Sequence, residues 1–367
     1  MCSSRWARRC SCSHRPGAEE SGQNGEVAPA RLDLTRAQIL AFRRRAGALD
    51  QRLPPGPRSL RHAAWAGLQD SMPRAALLSI HARVAGTGPS AWEDPSLVQL
   101  WGPHFSVFVV AACDLAVFSL GILPDNAKGR QRAQDAAASL NAFLDGGRKS
   151  LNEVGRAFGV HPNNFRYAAA TGTVLIRWDG ARRPAVWTVP PPDADPRDAR
   201  LELARRYLHV YGPTRAGAFG RWAGIGPRPA AAAFEALHES LTPVRTPVVG
   251  DAWILAADEA GLRAAPESPA PARLLPSGDA YWLLREPDRE LLVPDAGRRD
   301  ALWTTRVWPG ALLVDGEIAG TWRRADTVVS VRPWQQLSGA QREAVTVEAE
   351  SMPLAGIEKR IVVRWEE

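Results

Sequence analysis

The chain has 367 residues, 45% of them hydrophobic, enough for packed cores in more than one domain. Its formal net charge is +7, with lysine only at 128, 149 and 359, so arginine supplies most of the positive charge and a polyanionic partner suits it. No run of about eighteen apolar residues is present, which argues against a membrane span. Three of the four cysteines (Cys2, Cys10, Cys12) lie near the start and Cys113 is alone, the usage of a reduced, cytoplasmic protein.

Residues 1–32 lack apolar periodicity and are expected to be a disordered tail. The opening MCSSRWARRCSCSHRPG has no apolar core and does not read as a secretory signal. Cys10, Cys12 and His14 lack a fourth ligand and an ordered scaffold, so no metal site is expected there.

A first domain is expected over 33–127. Thr35 with Gln38 forms a capping box for a helix bearing Ile39, Leu40, Phe42, Ala46 and Leu49 at helical spacing. Further helices are predicted over roughly 58–69 and 73–85, then a hairpin, LVQLW-GP-HFSVFVV, and another helix. A second domain, 128–190, holds a second capping box at Ser150 and Glu153. Its helix SLNEVGRAFG is followed by a helical NNFRYAAATG opened by Pro162 and closed by Gly172. The runs VLIRW and AVWTV around Asp179-Gly180 predict a hairpin. Helix, turn, helix and basic-tipped hairpin is the order of a winged helix-turn-helix. The order recurs over 196–262, with a helix RLELARRYLHVYG, a second helix capped by Thr214, an alanine-rich third helix and a wing around Gly250-Asp251. Over 272–367 the runs AYWLL, ELLVP, ALLVDGEIAGTW, TVVSVRPW and IVVRW predict a small β-rich domain. The fold class expected is therefore α+β.

The stretches LARRYLHVYGPTRAGAFGRWAG, LLPSGDAYWLL and LVDGEIAGTWRR resemble those of the AlkZ-like winged-helix DNA glycosylases, and the resemblance covers about residues 33–350. It implies tandem winged-helix domains followed by a small β-barrel-like domain, in a bacterial genome-maintenance protein acting on bulky or cross-linked alkylated purines without metal or organic cofactor. It also implies a Gln-x-Gln or Gln-x-Asp catalytic motif in the first domain. The matching stretch is Leu68-Gln69-Asp70-Ser71, with Gln69 at the first motif position and Ser71, a departure, at the second. The first-domain hairpin reads WGPHFSVFVV, where many relatives carry Arg-Gly and a nearby His; His104 lies close to that place.

N7-alkylated purines are already cationic and leave readily, so their excision needs a held water and a polar group to position it more than it needs an acid. Gln69 can orient the water, and Asp70 can stabilise a developing oxocarbenium or act as base. On a continuous helix residues 69 and 71 point about 200° apart. They converge only where the backbone leaves the helix, as Pro73 favours. The alternative is that Asp70 and Ser71 simply cap the helix behind Pro73. For DNA contact the candidates are His161, Asn163, Asn164 and Arg166 at the head of the recognition helix, with Arg182 and Arg183 at the wing tip. Three functions remain open: a monofunctional DNA glycosylase excising N7-alkylated or cross-linked purines, a non-catalytic winged-helix DNA-binding or regulatory protein, and a protein-interaction scaffold built on the winged helices. The partner expected is double-stranded DNA, alkylated or cross-linked in the first case. The protein is expected to act as a monomer in the nucleoid-associated cytoplasm, away from membranes.

Overall fold

The computed structural model describes residues 31–366 except 73, 179, 181–183, 265–269 and 355–359. The predicted tail, apart from its last two residues, and wing-tip Arg182 and Arg183 therefore lie outside the described residues.

The first segment contains β1 (Leu32–Asp33), α1 (Arg36–Ala46), α2 (Pro57–Ala63), β2 (Leu68–Gln69), α3 (Ala75–Arg83), β3 (Leu97–Trp101), β4 (Val107–Ala111) and α4 (Leu115–Ser119). The second holds α5 (Ala127–Leu144), β5 (Lys149–Ser150), α6 (Leu151–Phe158), a 3-10 helix (Pro162–Thr171), β6 (Val174–Arg177) and β7 (Ala185–Thr188). The third runs through α7 (Pro196–Tyr211), α8 (Ala216–Ala223), α9 (Pro227–Ala236), β8 (Leu241–Thr246), β9 (Gly250–Leu255) and α10 (Glu259–Arg263). The last comprises β10 (Arg273–Leu275), α11 (Asp288–Leu292), α12 (Ala296–Leu302), β11 (Gly310–Val314), β12 (Glu317–Ala325), β13 (Val328–Pro333), α13 (Gly339–Glu350) and β14 (Val362–Trp365). The result is a mixed α+β fold. Among the described residues no helix is long and apolar enough to cross a membrane.

Both predicted capping boxes form: Thr35 and Gln38 bond reciprocally at the start of α1, and Ser150 and Glu153 at the start of α6. The predicted helix over 58–69 ends early. Gly67, at φ +75, turns the chain into β2, and a Cβ there would meet the Phe108 and Phe118 rings at 2.9 Å. Thr214 does not cap α8, whose cap residue is Arg215; Thr214 is buried and its backbone pairs with Trp253. The run AYWLL forms no strand, because the Asp279 carbonyl and carboxylate take up the backbone N–H groups of Tyr281, Trp282 and Leu283 that a ladder would need. ELLVP supplies α11 rather than a strand.

Three sheets organise the chain, in the orders β1-β8-β9, β2-β4-β3-β6-β7-β5 and β10-β11-β12-β13-β14. The six-stranded sheet joins the first two segments where Gln99 of β3 pairs with Ile176 of β6. In the five-stranded sheet β10 and β14 stay as unpaired edges, so no closed barrel forms among the described residues. Its inner face packs Leu274, Leu312, Trp322 and Val331 against Val345 and Ala349 of α13 and Leu78 of α3. The largest core cluster gathers Leu40, Phe108, Leu175, Tyr207, Trp222, Trp282 and Trp303 from all four segments.

Candidate active site

Antiparallel pairing with β4 sets β2: Leu68 lies opposite Val109, Gln69 opposite Phe108, and the Asp70 N–H donates to the Val107 carbonyl at 2.8 Å. In an extended chain alternate side chains share a face. Leu68 and Asp70 accordingly point into the protein, while Gln69 and Ser71 line one cavity of about 390 Å³. That volume is within the about 300–1,000 Å³ typical of small-molecule sites. The two motif positions reach one cavity because the backbone is not helical there: β2 ends at Gln69 and Ser71 sits in the bend that follows.

Asp70 is 1% exposed and faces away from the cavity. One carboxylate oxygen accepts from the Ala76 N–H at the start of α3 (3.0 Å) and the other from Nε2 of Gln99 (2.8 Å). The Gln99 carbonyl oxygen in turn accepts from the Trp178 N–H at 2.6 Å. Of the two readings of Asp70 from the sequence, a catalytic carboxylate and a cap for the helix behind Pro73, the structure shows the capping contact: the side chain turns inward and caps α3 at long range. Burial pushes its carboxyl up to about 7, against the opposing pull of the Ala76 N–H, Arg74 and Gln99.

A pH dependence of stability follows. The unfolded side chain titrates near 3.8 and the folded one near 7, so the folded state holds the proton more tightly. The contribution to stability is full below about pH 4 and is lost as pH rises through 7, at up to about 1.4 kcal/mol per pH unit. Asp70→Asn should flatten this segment of the profile, with a constant offset because its amide meets the Gln99 amide donor to donor. Urea unfolding at intervals from pH 4 to 7 checks it; an equal slope in the variant would assign the dependence to another group.

The side chain of Gln69 rests on the turn Pro276-Ser277-Gly278-Asp279. Gly278 has φ +75, and a Cβ there would stand 2.3 Å from the Gln69 carbonyl oxygen. Only glycine permits that approach. Asp279 anchors the turn: its carboxylate accepts from Ser79 Oγ at 2.6 Å and from both terminal nitrogens of Arg83 at 2.7 Å each. The two ion-pair side chains are 0% and 3% exposed. Ser79 and Arg83 belong to α3, the helix Asp70 caps. One helix thus locates both β2 and the turn that confines Gln69.

Pro103, His104 and Ser106 of the β3–β4 loop complete the polar wall, with Trp222 of α8 and Trp308 on the apolar side. His104 adopts φ 55 and donates through Nε2 to the Arg221 carbonyl, tying the loop to α8. Arg285 and Arg306 stand at the rim, both exposed and neither ion-paired with a described residue. Among the described residues no carboxylate and no lysine lines the cavity. Ser277, Gly278, Arg285, Arg306 and Trp308 were missed as site residues. The signal for two of them was the PSGD turn within LLPSGDAYWLL.

The predicted DNA-contacting residues lie elsewhere. His161, Asn163, Asn164 and Arg166 sit together at the start of the 3-10 helix, and none lines the cavity. His161 Nδ1 accepts from the Asn163 N–H at 3.2 Å, capping its own helix, and Asn164 is exposed.

The mixed α+β fold thus holds a cavity with Gln69 and Ser71 on its wall and Arg285 and Arg306 at its rim. The family model described as DNA glycosylase AlkZ-like matches residues 62–353, most of the chain, and the chain belongs to that family of DNA-repair glycosylases. DNA is the partner that membership implies. No curated protein matches the chain. Among solved structures it is similar to the Streptomyces sahachiroi DNA glycosylase AlkZ, with a TM-score of 0.74 and 18% identity, covering 91% of this chain and 100% of that one. That likeness is one of fold.

Proposed function

We propose that this chain is a monofunctional DNA glycosylase that excises N7-alkylated or cross-linked purines from duplex DNA. The observation that carries the reading is Gln69, confined by Gly278 on the wall of a cavity rimmed by Arg285 and Arg306. In this reading the Gln69 amide holds a water against the anomeric carbon, Ser71 shares the same wall, and Asp70 positions both through the backbone. With no carboxylate among the described lining residues, the site suits bases that leave already cationic, since a neutral base demands more help. No lysine amine stands among the described lining residues to form an imine with the sugar, which supports chemistry that stops at the abasic site.

Binding in this reading uses winged helices. The unit formed by α6, the 3-10 helix and β6–β7 would meet a major groove through His161, Asn163, Asn164 and Arg166, and phosphates through Arg182 and Arg183. The unit from α7 to β9 is more architectural, because α9 is mostly alanine where it would read bases. The serine at the second motif position favours a second reading, a DNA-binding relative that releases no base. Incubation with duplex carrying N7-alkylguanines of increasing size, in chelator, separates the two. Free alkylguanine and an abasic site are expected. Binding without release at every adduct size would leave the non-catalytic reading.

A further inference from the structure

We propose that the outer face of the C-terminal sheet is a seat for the phosphate backbone of duplex DNA, adjoining the Gln69 cavity; this rests on the DNA-binding reading above. Along β12, β13 and β14 one face is apolar, with Trp322, Val329 and Val331 buried in the core. The other face carries Arg323, Ser330, Arg332 and Arg364. The register places Ser330 directly between Arg323 on β12 and Arg364 on β14, and pairs Arg332 with Thr321. Directly paired side chains on a sheet stand about 4.5–5.5 Å apart and diagonal ones about 7–8 Å. Three arginines on one face thus neighbour Ser330, Arg323 and Arg364 across the ladder and Arg332 two residues along the same strand. All three are exposed and none is ion-paired with a described residue.

Crowded like charges on a sheet face oppose folding unless an anion offsets them. The planar fork of arginine is suited to phosphate, and a serine hydroxyl adds a neutral donor between the forks. The groove lined by Arg323, Ser330 and Arg332, about 520 Å³, contains two carboxylates among its described residues, Asp295 and Glu366, and Arg364 lies beside it on β14. Asp295 is engaged in capping α12, where it accepts from the Arg298 N–H at 2.7 Å. Glu366 leaves the arginines in excess.

Continuity with the cavity points to DNA rather than to a free anion. The loop 304–309 is a shared wall: Arg306, Val307 and Trp308 line the cavity, and Thr304 and Pro309 line the groove. Arg323 Nη2 donates to the Val307 carbonyl at 3.1 Å, joining the sheet to that loop. A duplex presenting a base to the cavity would run its flanking phosphates past Arg306 and on to the sheet.

The test uses undamaged duplex and full-length protein, so that binding is read apart from base release. Each phosphate contact contributes about −0.9 to the slope of log affinity against log salt. The double variant Arg332→Gln, Arg364→Gln should lower the slope's magnitude by about 1.8, so that about tenfold less affinity is lost between 50 and 200 mM salt. Ser330→Asp, which leaves every arginine in place and puts a carboxylate among them, should produce a similar fall. Both should melt no lower than wild type, since each relieves the crowded positive charge. Slopes equal to wild type in both variants would overturn the proposal while leaving the glycosylase reading intact. Wild-type protein that binds no duplex would overturn both.

Discussion

Gln69→Ala protein should bind alkylated duplex as tightly as wild type and release base at least about 100-fold more slowly, the loss expected for one preorganised polar group at a reacting centre. The separation of binding from chemistry follows from where the side chain sits. Gln69 is half-buried, its backbone is held by β4, and its amide meets the Gly278 turn and the cavity rather than a hydrophobic core. Truncation therefore costs little packing, and melting temperature should change only slightly. Single-turnover release at saturating enzyme, with affinity measured separately on the same duplex, is the check. A fall of less than tenfold would show that some other group holds the water.

Asp279→Ala should be the most destabilising single change near the site, by about 3–5 kcal/mol, because it strands Arg83 as a buried, uncompensated charge. The variant loses both arginine bonds, the Ser79 hydroxyl bond and the carboxylate that accepts from the Tyr281 N–H. Release should fall with it even where the protein remains folded, since Gly278 is then free to move off Gln69. The double variant Arg83→Met, Asp279→Leu should regain much of the stability, an apolar pair being tolerated where half an ion pair is not. Denaturant unfolding of the three proteins measures this. An Asp279→Ala loss below about 1 kcal/mol would mean that the pair does not clamp the turn.

The local elements were legible because their causes are local. Capping boxes at Thr35 and Ser150 need only residues three apart, and the hairpins β3–β4, β6–β7, β8–β9 and β11–β12 show in alternation and turn residues. AYWLL misled for the opposite reason: its apolar residues are buried around a turn whose geometry Asp279 imposes.

The sequence by itself determined the α+β class, the order of helices and hairpins, the arginine-borne charge and the motif Gln69-Asp70-Ser71. Tertiary structure alone decided where the side chains of that motif point. Gly67 and pairing with β4 take the stretch out of the helix, into the short strand Leu68–Gln69 and the bend after it, so Gln69 and Ser71 share a cavity wall and Asp70 turns inward to cap α3. The groups that complete the site come from distant segments: His104 from the β3–β4 loop, Trp222 from α8, and Gly278, Arg285, Arg306 and Trp308 from the last segment. The physical reason is that a side chain's face depends on which strand its backbone pairs with. That pairing, like the approach of Gly278 to Gln69, is chosen by packing among residues far apart in the chain.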